Sequence, residues 1–203
     1  MKHSSRHILF GILAIFLPLL LLTSCSSKKN TGATRFWQSF NTRFNVYFNG
    51  SEAYKAGLEE KEKGNKDNYT ETLPLFPVGN EKSKTLGKSN FETAITKCQK
   101  AIQLHSIKRR PIVKGNKRKS PKMKAYLSRK EFNPFLKNAW LLMGKAQFQK
   151  GDFLEAAATF SYIARQYAAE PLVAAEARIW LARCYTQEDW FYDAEDALKR
   201  AGL

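Results

Sequence analysis

Acidic residues are scarce in this chain: 18 Asp and Glu stand against 34 Lys and Arg, a formal charge of +16 over 203 residues. Cysteine is scarcer still, with three residues, too few for a disulfide scaffold of this length. Uninterrupted apolar sequence is short as well. No run reaches the roughly 18–20 residues that a membrane-spanning helix needs. The aromatic fraction, 13 %, is too high for a disordered polar tail. The length suits one domain, or one domain with an appendage. A charge of +16 taken alone points to nucleic acid, but the first 25 residues point elsewhere.

Met1 to His7 carry Lys2 and Arg6 and no acid, and Ile8 to Leu22 is a 15-residue apolar run interrupted only by Pro18. A basic start before an apolar stretch of this length reads as an export signal. A buried core helix would show polar positions on one face, and this run shows none. It ends Leu22-Thr23-Ser24-Cys25, which resembles a bacterial lipobox: Leu stands three places before Cys, with small residues between. Residues 1–24 are therefore expected to be a lipoprotein signal peptide and Cys25 the lipidated N-terminus of the mature chain. Several acyl chains, at about 0.8 kcal/mol per buried CH₂, hold such a protein on a membrane stably. By resemblance to lipoprotein sorting, Ser26 in place of Asp implies the outer membrane. The body is expected on its periplasmic face, with no nucleic acid as partner.

The charge is unevenly spread. Residues 25–131 hold 24 basic and 9 acidic residues, whereas residues 132–203 hold 8 and 9. Residues 106–130 hold 11 Lys or Arg and no acid, and Pro111, Gly115 and Pro121 make one continuous helix there improbable. This stretch, within 106–132, reads as a basic linker. It is either a solvated connector or an anion contact made by Lys108, Arg109, Arg110, Lys114, Lys117, Arg118, Lys119, Lys122 and Lys124. The anion would be a lipid headgroup, a cell-wall polymer or an acidic protein face.

The C-terminal part, 133–203, is periodic. Asn133-Pro134 reads as a helix start. Leu136, Ala139, Trp140, Met143 and Gln147 then share one helix face. Gly151-Asp152 ends that helix and starts the next, where Phe153, Ala156, Ala157, Phe160, Ala164 and Tyr167 repeat the spacing. Two amphipathic helices joined so closely form an antiparallel hairpin. The pattern recurs without a gap at an offset of 38 residues, so that Ala139–Phe160 aligns with Ala177–Leu198. Such hairpins cannot bury their faces alone, and they stack. The first unit resembles the tetratricopeptide repeat at Trp140, Gly144, Phe148, Gly151, Phe153, Ala156 and Phe160. Gln147 departs from the usual aromatic, with Phe148 beside it as substitute, and the offset exceeds the usual period of about 34. The second unit keeps Ala194 and Leu198 but has Ala182 for the Gly and Asp189 at the turn. A weaker trace lies upstream in 50–105: Asn90–His105 reads either as a second repeat helix, with a first helix around Ser51–Lys63 and an inserted loop between, or as an unrelated amphipathic helix. Residues 25–49 read as a tether. The fold class is thus all-α, of tetratricopeptide, α-solenoid type, with a basic, loop-rich N-terminal region. The chain stops in the second helix of its last repeat with no polar cap visible, as the front of a longer protein or a truncated copy would.

No constellation for catalysis is visible, and no cofactor is expected. Signal removal leaves His105 as the only histidine, which cannot build a multi-His metal site. Cys98 and Cys184 fall at repeat-core positions, as inert buried thiols or as a disulfide pair. Gly87-Lys88-Ser89 suggests a phosphate loop, but its required first Gly would be residue 82, which is Lys82. Glu59, Glu60 and Glu62 alternate with lysines as a solvated ion-pair face.

Tyr47-Phe48-Asn49-Gly50, Leu73-Pro74 and Lys108-Arg109-Arg110-Pro111, together with the lipobox, resemble the PorW/SprE family. These are tetratricopeptide lipoproteins of the Bacteroidetes type IX secretion and gliding apparatus. The resemblance spans nearly the whole mature chain but only the front of the longer family members. It implies a non-enzymatic outer-membrane scaffold that binds protein subunits of a secretion and motility complex. The alternatives are a general outer-membrane-protein assembly lipoprotein and a cell-wall-binding lipoprotein. Read from its own residues, Tyr47–Gly50 is an Asn-Gly turn before a helix, with its aromatics either an anchor or part of the core.

Overall fold

The computed structural model describes residues 29–67, 69–70, 72–73, 78–113, 115 and 120–202. The expected signal peptide, Cys25, Lys114, Lys117, Arg118 and Lys119 lie outside the described residues. Among the described residues the fold is all-helical, and no helix is long and apolar enough to cross a membrane.

The first described helix begins within the stretch that the sequence suggests as a tether. Thr31 caps helix α1 (Gly32–Asn41), its hydroxyl accepting a bond from the Thr34 amide at 3.1 Å. The chain continues through a π-helical turn, Thr42–Tyr47, into α2 (Phe48–Gly64). All residues at these junctions stay in the right-handed helical region, so 32–64 is one helical rod. The expected tether 25–49 is therefore largely helix, and the expected Asn49-Gly50 turn does not form. Gly50 is instead a contact point, where a Cβ would meet Lys97 Cβ at 3.3 Å and Cys98 Sγ at 3.6 Å. Close approach of two helices explains this glycine better than turn chemistry does.

After the inserted loop, Asn80 caps the short α3 (Glu81–Thr85) through a 2.7 Å bond from the Ser83 amide. Helix α4 (Lys88–His105) returns antiparallel to α2, with Gly57 facing Phe91 and Gly50 facing Cys98. The expected helix pair of 50–105 is present, and the first helix is longer than its sequence trace. Next come α5 (Pro121–Leu127), α6 (Leu136–Lys150), α7 (Phe153–Gln166), α8 (Pro171–Gln187) and α9 (Phe191–Ala201). The long helices α2, α4, α6, α7, α8 and α9 each lie against the next, which is the layering of a helical-hairpin solenoid.

Helix α6 starts at Leu136, three residues after the expected cap. Asn133 instead turns the chain, its Oδ1 accepting from the Phe135 amide at 3.0 Å, and its amide group binds elsewhere. Gly151 ends α6 with φ 92°, and at the aligned position of the next hairpin Asp189 takes φ 58°. Asp tolerates this left-handed conformation less well than Gly, but better than most residues. Helix α7 keeps 14 residues, so the long period is not spent there. The turn at 167–170 and the 17-residue α8 absorb it.

Three aromatic side chains, Phe91, Phe148 and Phe160, are among the largest that are fully buried. Each contributes about 1.5–3 kcal/mol by leaving water. Two of them sit over glycines in the same way. A Cβ at Gly144 would stand 2.7 Å from the Phe160 ring, and one at Gly57 would stand 2.8 Å from the Phe91 ring.

Candidate interaction surfaces

The tetratricopeptide-like positions build the core and not an exposed site. Phe148, Phe153, Ala156 and Phe160 are buried, and Ala194 is buried in the second hairpin with Leu198 against it. Trp140 is half-buried and meets Tyr162 at 4.6 Å between ring centres. Phe148 does supply the missing aromatic, edge-on to Phe153 and Trp180 at 5.2 and 5.5 Å. Gln147 is buried as well, and its Oε1 accepts a 2.8 Å bond from the Thr159 hydroxyl. The second hairpin departs at Phe191, which is 60 % exposed where Phe153 is buried. Thr186 stands where Phe148 stands in the first hairpin, and its hydroxyl turns back to the Ala182 carbonyl. Phe191 thus loses its aromatic partner.

Cys98 and Cys184 are free and buried, which removes the disulfide alternative. Burial pushes each thiol up to about 12, so both stay protonated and unreactive at neutral pH. Gly87-Lys88-Ser89 lies at the start of α4, with Gly87 at φ 70°, and forms no loop around an anion. His105 ends α4, its Nδ1 2.6 Å from Gln38 Oε1 on α1. Burial holds its imidazole below the usual value, which favours the neutral ring. Among the described residues no cluster of His, Cys, Asp or Glu could hold a metal ion.

The basic stretch is not an open linker. Glu131, the first acid after it, is buried and draws both of its ends together. Its carboxylate accepts from the Ser106 hydroxyl at 2.5 Å and from the amides of Ile107, Phe132 and Asn133 at 2.8, 3.0 and 2.8 Å. The Phe132 amide also donates to the Ile107 carbonyl at 2.9 Å. Bonds to an ionised acceptor are about twice as strong as neutral ones. Helices α4 and α6 therefore pack directly against each other, and the chain between them leaves and returns at one closed base. Asn133 reinforces the base, donating from Nδ2 to Thr42 Oγ1 and to the His105 carbonyl, each at 2.9 Å. Nothing local in the sequence signals this closure, because Ser106 and Ile107 lie 25 and 24 residues from Glu131.

Two clefts flank this base. One, of about 620 Å³, is lined by Ile102, Trp140, Tyr162 and Gln166 beside Lys108 and Arg109. The other, of about 440 Å³, lies between the start of α1 and the loop. Lys29, Arg35, Arg109 and Arg110 line it, and no acid does. Its walls are tied: Asn30 Nδ2 donates to the Arg109 carbonyl, and Arg35 Nη1 donates to Asn30 Oδ1, both at 2.6 Å. The structure brings Arg109 and Arg110 together with Lys29 and Arg35, which the sequence reading did not include. Lys122 and Lys124 sit exposed on α5, outside both clefts. Arg129 pairs with Glu170 at 3.5 Å, which fastens the end of α5 to the turn before α8. No model of a known protein family matches this chain, and no curated protein matches it.

Proposed function

We propose that this chain is a non-enzymatic, membrane-anchored scaffold of the periplasm, held at the outer membrane through Cys25. In this reading it binds protein subunits of a type IX secretion and gliding apparatus. The observation that carries the scaffold reading is the use of the motif residues. They are consumed in stacking one helix on the next, which leaves a cleft of mixed polarity and a basic cleft side by side as surfaces for other molecules. Stacked helical hairpins serve as extended protein-binding surfaces. The lipobox sequence and the resemblance of Tyr47–Gly50 and Lys108–Pro111 support the compartment and the apparatus. The basic loop and its cleft would take an anionic group of a partner, of peptidoglycan or of a lipid headgroup.

The lipoprotein should co-purify with secretion subunits from a strain whose apparatus is intact. Recovery without any such subunit counts against the reading. In a deletion strain, loss of type IX cargo with normal barrel proteins supports it. General barrel defects would favour an outer-membrane assembly lipoprotein instead.

A further inference from the structure

Helix α1 and the π turn after it carry their polarity inside out. The face turned into the protein is Gln38, Thr42, Val46 and Gly50, all buried. The face turned out is Phe36, Trp37, Phe40, Phe44 and Phe48, exposed by 69, 62, 47, 56 and 55 %. A helix bounded by water places these the other way round. The inward polar groups are hydrogen-bonded: Gln38 Oε1 meets His105, and Thr42 donates to the Gln38 carbonyl at 2.6 Å while accepting from Asn133. The inversion is thus built into the fold and is not a packing defect.

Four of the outward rings touch in one continuous patch, and Phe48 extends its line. Phe36 and Trp37 stack on Phe40 at 6.2 and 6.5 Å between ring centres, and Phe40 meets Phe44 at 4.9 Å. Residues four apart on an α-helix drift by about 40° around its axis. The π turn over Thr42–Tyr47, whose bonds span five residues, holds more residues per turn and takes that drift back. The stripe therefore stays straight from Phe36 to Phe48.

Charge and chain length say what covers it. No Asp or Glu occurs before Glu52, whereas Lys28, Lys29, Arg35 and Arg43 lie along this stretch. Arg43 sits over the Phe44 ring at 5.0 Å, its apolar stem along the patch. Cys25, the expected lipid anchor, stands seven residues before α1 begins at Gly32, a reach of about 25 Å at most. Exposed aromatics with a basic flank and no acid are what the boundary between headgroups and acyl chains selects. We propose that Phe36, Trp37, Phe40, Phe44 and Phe48 lie in the headgroup layer of an anionic phospholipid bilayer. This would make α1 a second membrane contact, one that sets the orientation of the solenoid. It rests on the membrane-anchored reading above, but not on any protein partner.

The test uses the full lipidated chain on vesicles of phosphatidylethanolamine and phosphatidylglycerol whose acyl chains are brominated near the headgroup. Bromine quenches only tryptophan that enters the bilayer. The wild type should lose the emission that Trp37→Phe lacks, and Phe40→Ser with Phe44→Ser should cut that quenching several-fold at unchanged helical content. Flotation with vesicles while Trp37 stays unquenched overturns the aromatic contact and leaves the anchor standing; so does a dimer whose formation shields Trp37 in lipid-free solution and on vesicles alike. Failure to float overturns the anchor and this contact together.

Discussion

The sharpest test of the repeat register is Gly144. An added methyl there would stand 2.7, 2.8 and 3.1 Å from three carbons of the Phe160 ring. The ring cannot retreat, because Trp180 stacks behind it at 5.7 Å with an interplanar angle of 16°. Overfilling of this kind costs about 1–3 kcal/mol. Replacing a helical Gly by Ala returns up to about 1 kcal/mol, so Gly144→Ala should destabilise by about 1–2 kcal/mol. The second hairpin holds the complementary solution, Ala182 with Leu198 at the aligned positions. Phe160→Leu alone should also destabilise, by about 1–2 kcal/mol, because it opens space over the glycine and beside Trp180. In the double variant the Ala182–Leu198 arrangement is reproduced, and the methyl fills the space that the ring has left. Urea unfolding of the four proteins forms a double-mutant cycle. We expect a favourable coupling of about 1–2 kcal/mol. Additivity within about 0.5 kcal/mol would refute the aligned registers and the steric argument together.

Two further outcomes follow from buried polar groups. Lys61 is 4 % exposed, donates from Nζ to the Gln149 carbonyl, and is lowered by burial from 10.5 to about 8. Between about pH 8 and 10.5 the unfolded chain then holds the extra proton, so stability rises with pH across that window. Compared with Lys61→Met, the wild type should gain up to about 3 kcal/mol from pH 7 to 10.5; a difference between the two proteins that does not change with pH contradicts it. Tyr167 is buried, and its hydroxyl has no hydrogen-bond partner. Burial, with the Glu131 and Glu170 carboxylates, raises its pKa and keeps it neutral. Tyr167→Phe removes a desolvated donor and should be neutral or stabilising by about 1 kcal/mol in thermal unfolding, whereas a loss would mean that the hydroxyl is satisfied.

The periodic C-terminal part was readable because its rules are local. Gly151 and Asp189 mark the same turn, and small residues mark close approach. The same rules do not serve 36–50, which the sequence suggests as a tether ending in an Asn-Gly turn. Apolar residues at helical spacing signal a buried face, yet here the aromatics face out and Gln38 and Thr42 face in. The available signal was the polar stripe at 38 and 42 combined with 51 residues free of acid. Asn49-Gly50 reads as a turn by residue preference, but packing against α4 overrides it. Glu131 could not be found from spacing, because its importance appears only once α4 and α6 lie side by side.

That carboxylate also changes what variation in chain length would cost. With Ile107 and Phe132 held together at its base, the excursion between them is closed whatever its length. Extending a flexible loop adds only about 0.6 kcal/mol of closure entropy for each doubling. Outside α5 and the Asn30–Arg109 tie, the basic segment is therefore cheaper to lengthen than the helices on either side of it. The helices on either side, whose stacking depends on registers such as Gly57 beneath Phe91, tolerate none. The solenoid can hold a fixed geometry while the loop it carries diversifies.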